Sequence, residues 1–186
     1  VKTIRINPEK IGAVIGKGFL TLPAVRDLAT AILSVFFGSL AGYGFSRFQL
    51  PGKRVLIGFF LATQMLPGVL LVGPYFKVLT ATGLYDTRTG LVIAFLTICL
   101  PFATLTMKGF IDGVPLEMDE AALVDGCNRL GVFFRIILPV LGPGMVASVL
   151  FSFLLAWGDL LWARCLTTSE EMMPVTLGIA RTVGEV

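Results

Sequence analysis

The residues able to do chemistry in this chain gather in one stretch, residues 115–139, PLEMDEAALVDGCNRLGVFFRIILP. Pro115 can open a helix, because the first helical residue needs no amide donor. Glu117, Asp119 and Glu120 follow in the opening turns, where the positive end of the helix dipole favours carboxylates. Ala121, Ala122, Leu123 and Val124 continue the helix. Gly126 can then take the left-handed conformation that ends helices. A second short helix can begin near Asn128. Its residues Leu130, Phe133, Phe134 and Ile137 recur at i, i+3, i+4 and i+7 and make one apolar stripe, which Pro139 ends. On the residues alone this is a pair of short capped helices joined at a glycine corner, between long apolar runs.

Other chemistry finds little support. With no His, zinc sites and imidazole acid/base catalysis lack their usual residue. No apolar run holds a carboxylate pair or a Ser/Lys pair, which leaves an intramembrane enzyme without its groups. No GxxxxGK[ST] phosphate loop is present. Cys99, Cys127 and Cys165 lack metal-like spacing and read as small buried residues, not as a disulfide framework.

The elements that must position the corner are membrane-grade. The chain of 186 residues is 55% hydrophobic and 15% charged, with mean hydropathy +0.87, where soluble domains carry about 25% charge. An all-α, polytopic bundle of about four spans is expected, because a span needs ~20 apolar residues. The first runs from about Leu22 to Phe45, with Arg26 and Asp27 near its start. Its small residues Ser34, Gly38, Ala41, Gly42, Gly44 and Ser46 suit close helix approach. The second runs from Val55 to Phe76. Its Pro67 and Pro74 would kink a helix, either structurally or around a pathway, and its Gln64 is expected to face protein or water. The third runs from Gly90 to Met107 with Pro101 inside. The fourth, from about Val140 to Trp162, is loosened at its start by Gly142, Pro143 and Gly144. Asp159 lies near its end, either as a pathway residue or snorkelling beside an interfacial belt of Trp157 and Trp162. Residues 164–186 read as a polar tail.

Basic residues near the spans set orientation. Arg47, Lys53, Arg54, Lys108, Arg129 and Arg135 lie on the side of the 115–139 loop, six against the five of Arg26, Lys77, Arg88, Arg164 and Arg181. This places the loop in the cytoplasm. Lys2, Arg5, Lys10 and Lys17 of the head add four to the other side and reverse the count to nine against six. The head is therefore expected to be foreign to the membrane segment, or an upstream span to be missing. Those spread basic residues also lack the pattern of a signal peptide.

Two resemblances follow. Glu120-Ala121-Ala122, three residues, Gly126, nine residues, then Ile136, Leu138 and Pro139 resembles the EAA loop of ABC-importer permeases. From about Thr21 onward the chain is similar to the second permease subunit of carbohydrate ABC importers of the maltose and glycerol-3-phosphate type. Ala41 to Phe48, Pro51-Gly52-Lys53-Arg54, Ala62-Thr63-Gln64-Met65-Leu66-Pro67, Phe151-Ser152-Phe153-Leu154 and Ala156-Trp157 carry that similarity. It departs at Trp157-Gly158-Asp159, where the family often has Trp-Asn-Glu. Such permeases usually have about six spans, so residues 21–186 are expected to be a partial permease domain lacking the first and last.

The family likeness implies a multi-pass bacterial inner-membrane subunit of an ATP-driven importer, for a sugar or related polyol. Its partners would be a separate ATPase, a second permease subunit, an extracytoplasmic solute-binding protein and the bilayer. No nucleic acid, cofactor or catalytic residue is implied. Glu120, Ala121, Ala122, Asp125, Gly126, Ile136, Leu138 and Pro139 would couple to the ATPase. Glu120 would offer its carboxylate to a basic ATPase residue, the alanines would permit close approach, and Leu130, Phe133 and Phe134 would hold the second helix on the membrane helices. Gln64 and Asp159 are the pathway candidates. The alternatives are a secondary transporter, which needs no such loop, and an RNA-binding protein. For the latter, residues 1–18, with Gly16-Lys17-Gly18, resemble the start of a polynucleotide phosphorylase KH domain. Phe19 stands at its second loop glycine and membrane-grade sequence follows, so residues 1–20 are read as an atypical head and not as a folded RNA module.

Overall fold

The computed structural model describes residues 22–158 and 160–168. The KH-like head, Asp159 and the tail beyond residue 168 lie outside the described residues. The helices are α1 (Leu22–Arg47), α2 (Lys53–Met65), α3 (Gly68–Ala81), α4 (Arg88–Asp112), α5 (Leu116–Val124) and α6 (Arg129–Val132). A π turn (Phe133–Ile137), α7 (Leu138–Val140), α8 (Gly142–Gly158) and α9 (Leu160–Leu166) complete the order. No strand occurs among the described residues, as an all-α bundle requires.

α1 and α4 are each long and apolar enough to cross a membrane. They pack side by side and run parallel. Arg26 sits over the Phe95 ring at 5.8 Å, Gly38 lies against Ala103, and Gly42 lies against Thr104 and Lys108. Further along, the Ser46 hydroxyl donates to Asp112 at 2.6 Å. The expected small-residue seam is thus real at two positions. A Cβ on Gly38 would stand 2.8 Å from that of Ala103, and one on Gly42 would stand 2.8 Å from the Lys108 amide nitrogen. Gly44 faces open space and takes no part. Buried hydroxyls on α1 are satisfied within the helix: Thr30 donates to the Arg26 carbonyl at 3.0 Å and Ser34 to the Thr30 carbonyl at 2.7 Å. α8 runs back along α4, with Gly144 against Phe110, Ser148 donating to Met107 Sδ at 3.6 Å, and Cys99 Sγ donating to the Ser152 carbonyl at 3.7 Å.

The second and fourth spans each pass as a span only as a bent pair of helices. Instead of one kinked helix over Val55–Phe76, α2 and α3 meet at 96°. Leu66 is extended, with φ −74° and ψ 127°, because the residue before a proline is pushed out of the helical region. Pro74 sits inside α3 without ending it. The fourth run is likewise bent, by 78°, between Val140 and Gly142. Beyond it, α9 covers the end of the expected fourth run and the first residues of the expected polar tail. There Trp162 is 1% exposed and packs on Tyr75 at 5.0 Å, so it is a core residue and not part of an interfacial belt. Of the cysteines, Cys99 is buried as expected, whereas Cys165 is exposed.

Large apolar side chains cover the outside of the helices. Phe37, Phe59, Leu70, Val146 and Leu154 are all exposed, the arrangement expected of a surface facing lipid and neighbouring helices. The interior holds two clusters. One, around Leu91, Phe95 and Trp162, lies toward the start of α4. The other, around Met107, Ile111, Phe133 and Ile137, lies at its end and carries the 115–139 corner.

Candidate functional site

α4 ends at Asp112, and Pro115, extended at φ −55° and ψ 137°, caps α5. The sequence put this proline one residue further into the helix. Glu117, Glu120, Ala121 and Val124 are exposed. Their i, i+3, i+4, i+7 spacing makes one continuous stripe along α5. Asp119 and Ala122 occupy the opposite face and are 1% and 6% exposed.

A carboxylate buried this fully needs a partner, and Arg47, the last residue of α1, supplies it. Arg47 Nε donates to Asp119 Oδ2 at 3.0 Å, and Nη2 donates to Oδ1 at 3.3 Å. The same Nη2 donates to the Val114 carbonyl at 2.8 Å. The Arg47 side chain is 7% exposed. A planar guanidinium matches a carboxylate with two parallel bonds, which a lysine does not do. One side chain therefore ties the end of α1, the turn after α4 and the inward face of α5. Tyr43, one turn back on α1, adds a long hydroxyl bond to Asp119 at 3.4 Å and packs on Phe133 at 5.2 Å. Sequence patterning alone does not mark Arg47 or Asp119 as site residues. The signal for Asp119 was present: it shares a helix face with Ala122, not with Glu117 and Glu120.

The corner itself follows the sequence. Gly126 has φ 87°. Its amide donates to the Leu123 carbonyl at 3.1 Å, and the Cys127 amide donates to the Ala122 carbonyl at 3.0 Å. These two bonds define a Schellman cap. Asn128 then caps α6, its side-chain oxygen accepting from the Gly131 amide at 2.7 Å. The second helix departs from the expected stripe. Val132, Phe133 and Ile137 are fully buried, but Leu130 is 60% and Phe134 46% exposed. From Phe133 to Ile137 the chain makes a π turn, in which the Leu138 amide bonds to the Phe133 carbonyl five residues back. Pro139 cannot donate to the carbonyl of Arg135, so the α pattern has no bond to make there. The wider turn shifts the inward face from the one a 3.6-residue period gives.

Of the residues expected at the corner, Glu120, Ala121, Asp125, Gly126 and Pro139 are exposed. Ile136 and Leu138 are half-buried against the inner cluster. Ala122 faces inward, so its small size serves packing on this chain's own core. Gln64 is exposed and stands well away from the corner. It borders a cavity of about 490 Å³ with Thr63, Tyr75, Thr97, Phe102 and Phe151.

Curated proteins are similar to this chain in sequence, and a solved structure is similar to it in fold. The trehalose transport system permease protein SugB of Mycobacterium tuberculosis is 36% identical over 84% of the chain and 57% of its own length. The diacetylchitobiose uptake system permease protein NgcG of Streptomyces coelicolor is 34% identical over 90% of the chain and 55% of its own length. The chain thus spans about half the length of the curated relatives it matches. A crystal structure of a bacterial ABC transporter involved in the import of the acidic polysaccharide alginate shares the fold. Its TM-score is 0.67 at 23% identity, and the match covers 95% of this chain and 63% of that one. Residues 34–182 match the family described as the binding-protein-dependent transport system inner membrane component, and the chain belongs to that family.

Proposed function

We propose that the chain is a membrane-spanning, non-catalytic permease subunit of an ATP-driven solute importer, energised by a separate ATPase that docks on the 115–139 corner. The observation that carries the reading is the two-faced helix α5. Its inward face is clamped by Arg47, while Glu117, Glu120, Ala121 and Val124 stay exposed beyond the end of the bundle. A carboxylate-bearing stripe on a helix held so firmly suits docking into a groove with a basic residue, for which Glu120 is the natural ion-pair partner. The chain has no phosphate loop of its own, which leaves hydrolysis to the partner. The family's dependence on a binding protein supports an extracytoplasmic partner that delivers solute, and a second permease subunit completes the pathway. The 115–139 corner is assigned to the cytoplasm.

The solute is proposed to be a sugar or oligosaccharide, by analogy with the relatives named for trehalose and diacetylchitobiose. The cavity bordered by Gln64, with threonines, Tyr75 and two phenylalanines, offers hydrogen bonds beside aromatic faces, and Gln64 is the pathway candidate.

A cysteine crosslink tests the docking. Val124, at 87% exposure, is the attachment point, in a background with Cys99, Cys127 and Cys165 substituted. A crosslink to a cysteine in the groove of the co-expressed ATPase, with a yield that changes on adding ATP, supports the reading. A well-expressed chain with no crosslink at Val124 or Ala121 overturns it.

A further inference from the structure

We infer that Arg47 and Asp119 form a positioning pair that carries movement of α5 into the α1–α4 pair, so that breaking it uncouples ATP hydrolysis from transport without undoing docking. The inference rests on the docking reading above and adds the residues that transmit the stroke.

α5 has nine residues, and its own apolar hold on the bundle is small. Of its residues only Asp119 and Ala122 are buried, and an alanine methyl group gives little grip. The firm attachment is therefore polar. Arg47 approaches Asp119 with two nitrogens, at 3.0 and 3.3 Å, and reaches the Val114 carbonyl at 2.8 Å. Both side chains are shielded, at 7% and 1% exposure, so the pair is screened little by salt. Losing one member strands the other charge in a buried place, which makes the link stiff and hard to break by thermal motion.

The far end of the link is equally specific. Arg47 ends a helix of 26 residues that lies backbone to backbone on α4 at Gly38 and Gly42. A displacement of α5 pulls on the end of α1, and the glycine seam makes α1 and α4 move as one body. The docking stripe and Asp119 lie on opposite faces of α5. Removing Asp119 thus leaves the docking stripe intact. The family pattern of the loop begins at Glu120 and does not contain the pair.

The test uses the assembled transporter in proteoliposomes, with solute uptake and ATP hydrolysis measured on the same preparation. Asp119→Asn and Arg47→Gln are expected to retain the ATPase on co-purification. Uptake per ATP hydrolysed should fall at least ~tenfold, within the usual span of a coupling effect, and Asp119→Glu should restore most of it. A second variant replaces the ion pair by a covalent one. Arg47→Cys with Asp119→Cys, in the background lacking the native cysteines, is bridged by a reducible linker. Coupling should appear with the linker in place and vanish on reduction. Unchanged uptake per ATP in both single variants, or a linker without effect, overturns the inference. So does loss of assembly in Asp119→Asn, because the pair would then be a folding clasp alone. If the parent chain itself does not retain the ATPase, the docking reading fails first, and that result is distinct from each of these.

Discussion

Asp119 and Glu120 are neighbours with opposite environments, and the two should respond oppositely to substitution. Asp119 is 1% exposed and bonded to Arg47. Removing it leaves a buried guanidinium without its carboxylate, so Asp119→Ala should lower stability by about 3–5 kcal/mol. Glu120 is exposed, and Glu120→Ala should stay within about 0.5 kcal/mol. Thermal unfolding of the detergent-solubilised protein checks both, and equal effects would contradict the two-faced helix. Gly126 sets a different kind of constraint. Its φ is 87° and an added Cβ would meet nothing within 4 Å, so the penalty is purely conformational. Gly126→Ala should cost about 1–2 kcal/mol, and Gly126→Asn less, since asparagine tolerates the left-handed region. Gly126 was legible in the sequence because the cap is local. The Arg47–Asp119 bond joins residues 72 apart. The sequence put both on the same side of the membrane but offered no way to pair them.

At the level of elements, the decisive feature is how closely α1 approaches α4. Small residues along the first span announced it, but only the packing tells which of them face the seam. Gly38→Val would drive a branched side chain into the Ala103 backbone, where a Cβ already stands 2.9 Å from the Ala103 carbonyl carbon. Overpacking of that kind costs about 1–3 kcal/mol. Gly44→Val, with open space around it, should be silent. Size-exclusion profiles and melting curves of the two variants should separate them cleanly. The bends show where sequence reading fell short. Pro67 marked the break between α2 and α3, yet a proline specifies an interruption and leaves the angle to tertiary packing. The 96° observed there comes with α3 seated on α9, Tyr75 against Trp162. The π turn was hidden for a related reason. The stripe Leu130, Phe133, Phe134, Ile137 assumes an unbroken 3.6-residue period, and the missing donor of Pro139 breaks that period from outside the stripe.

For the whole molecule, composition alone settled the membrane class, since a chain 55% hydrophobic and 15% charged cannot hide its apolar surface in one core of this size. Orientation was harder, because six basic residues against five is too small a difference to decide it. The packing shows which segments share an end of the bundle. Parallel α1 and α4 bring Arg47, Asp112 and the 115–139 corner to one end, and the bent α2–α3 pair returns the chain to the other end, where α4 begins at Arg88. Single cysteines therefore have definite expected sides in the native-cysteine-free background. Leu50, at 39% exposure, and Val124, at 87%, lie at the corner end, whereas Thr89, also exposed, lies at the start of α4. A membrane-impermeant maleimide should label Leu50→Cys and Val124→Cys in inverted vesicles and Thr89→Cys in right-side-out vesicles. Labelling of all three from one face would mean that α4 does not cross the bilayer. The opposite assignment, with the corner labelled from outside, would keep the fold but put the docking stripe out of reach of any cytoplasmic ATPase. The pattern over the three positions thus tests the fold, and the side on which Val124 reacts tests the proposed energy source.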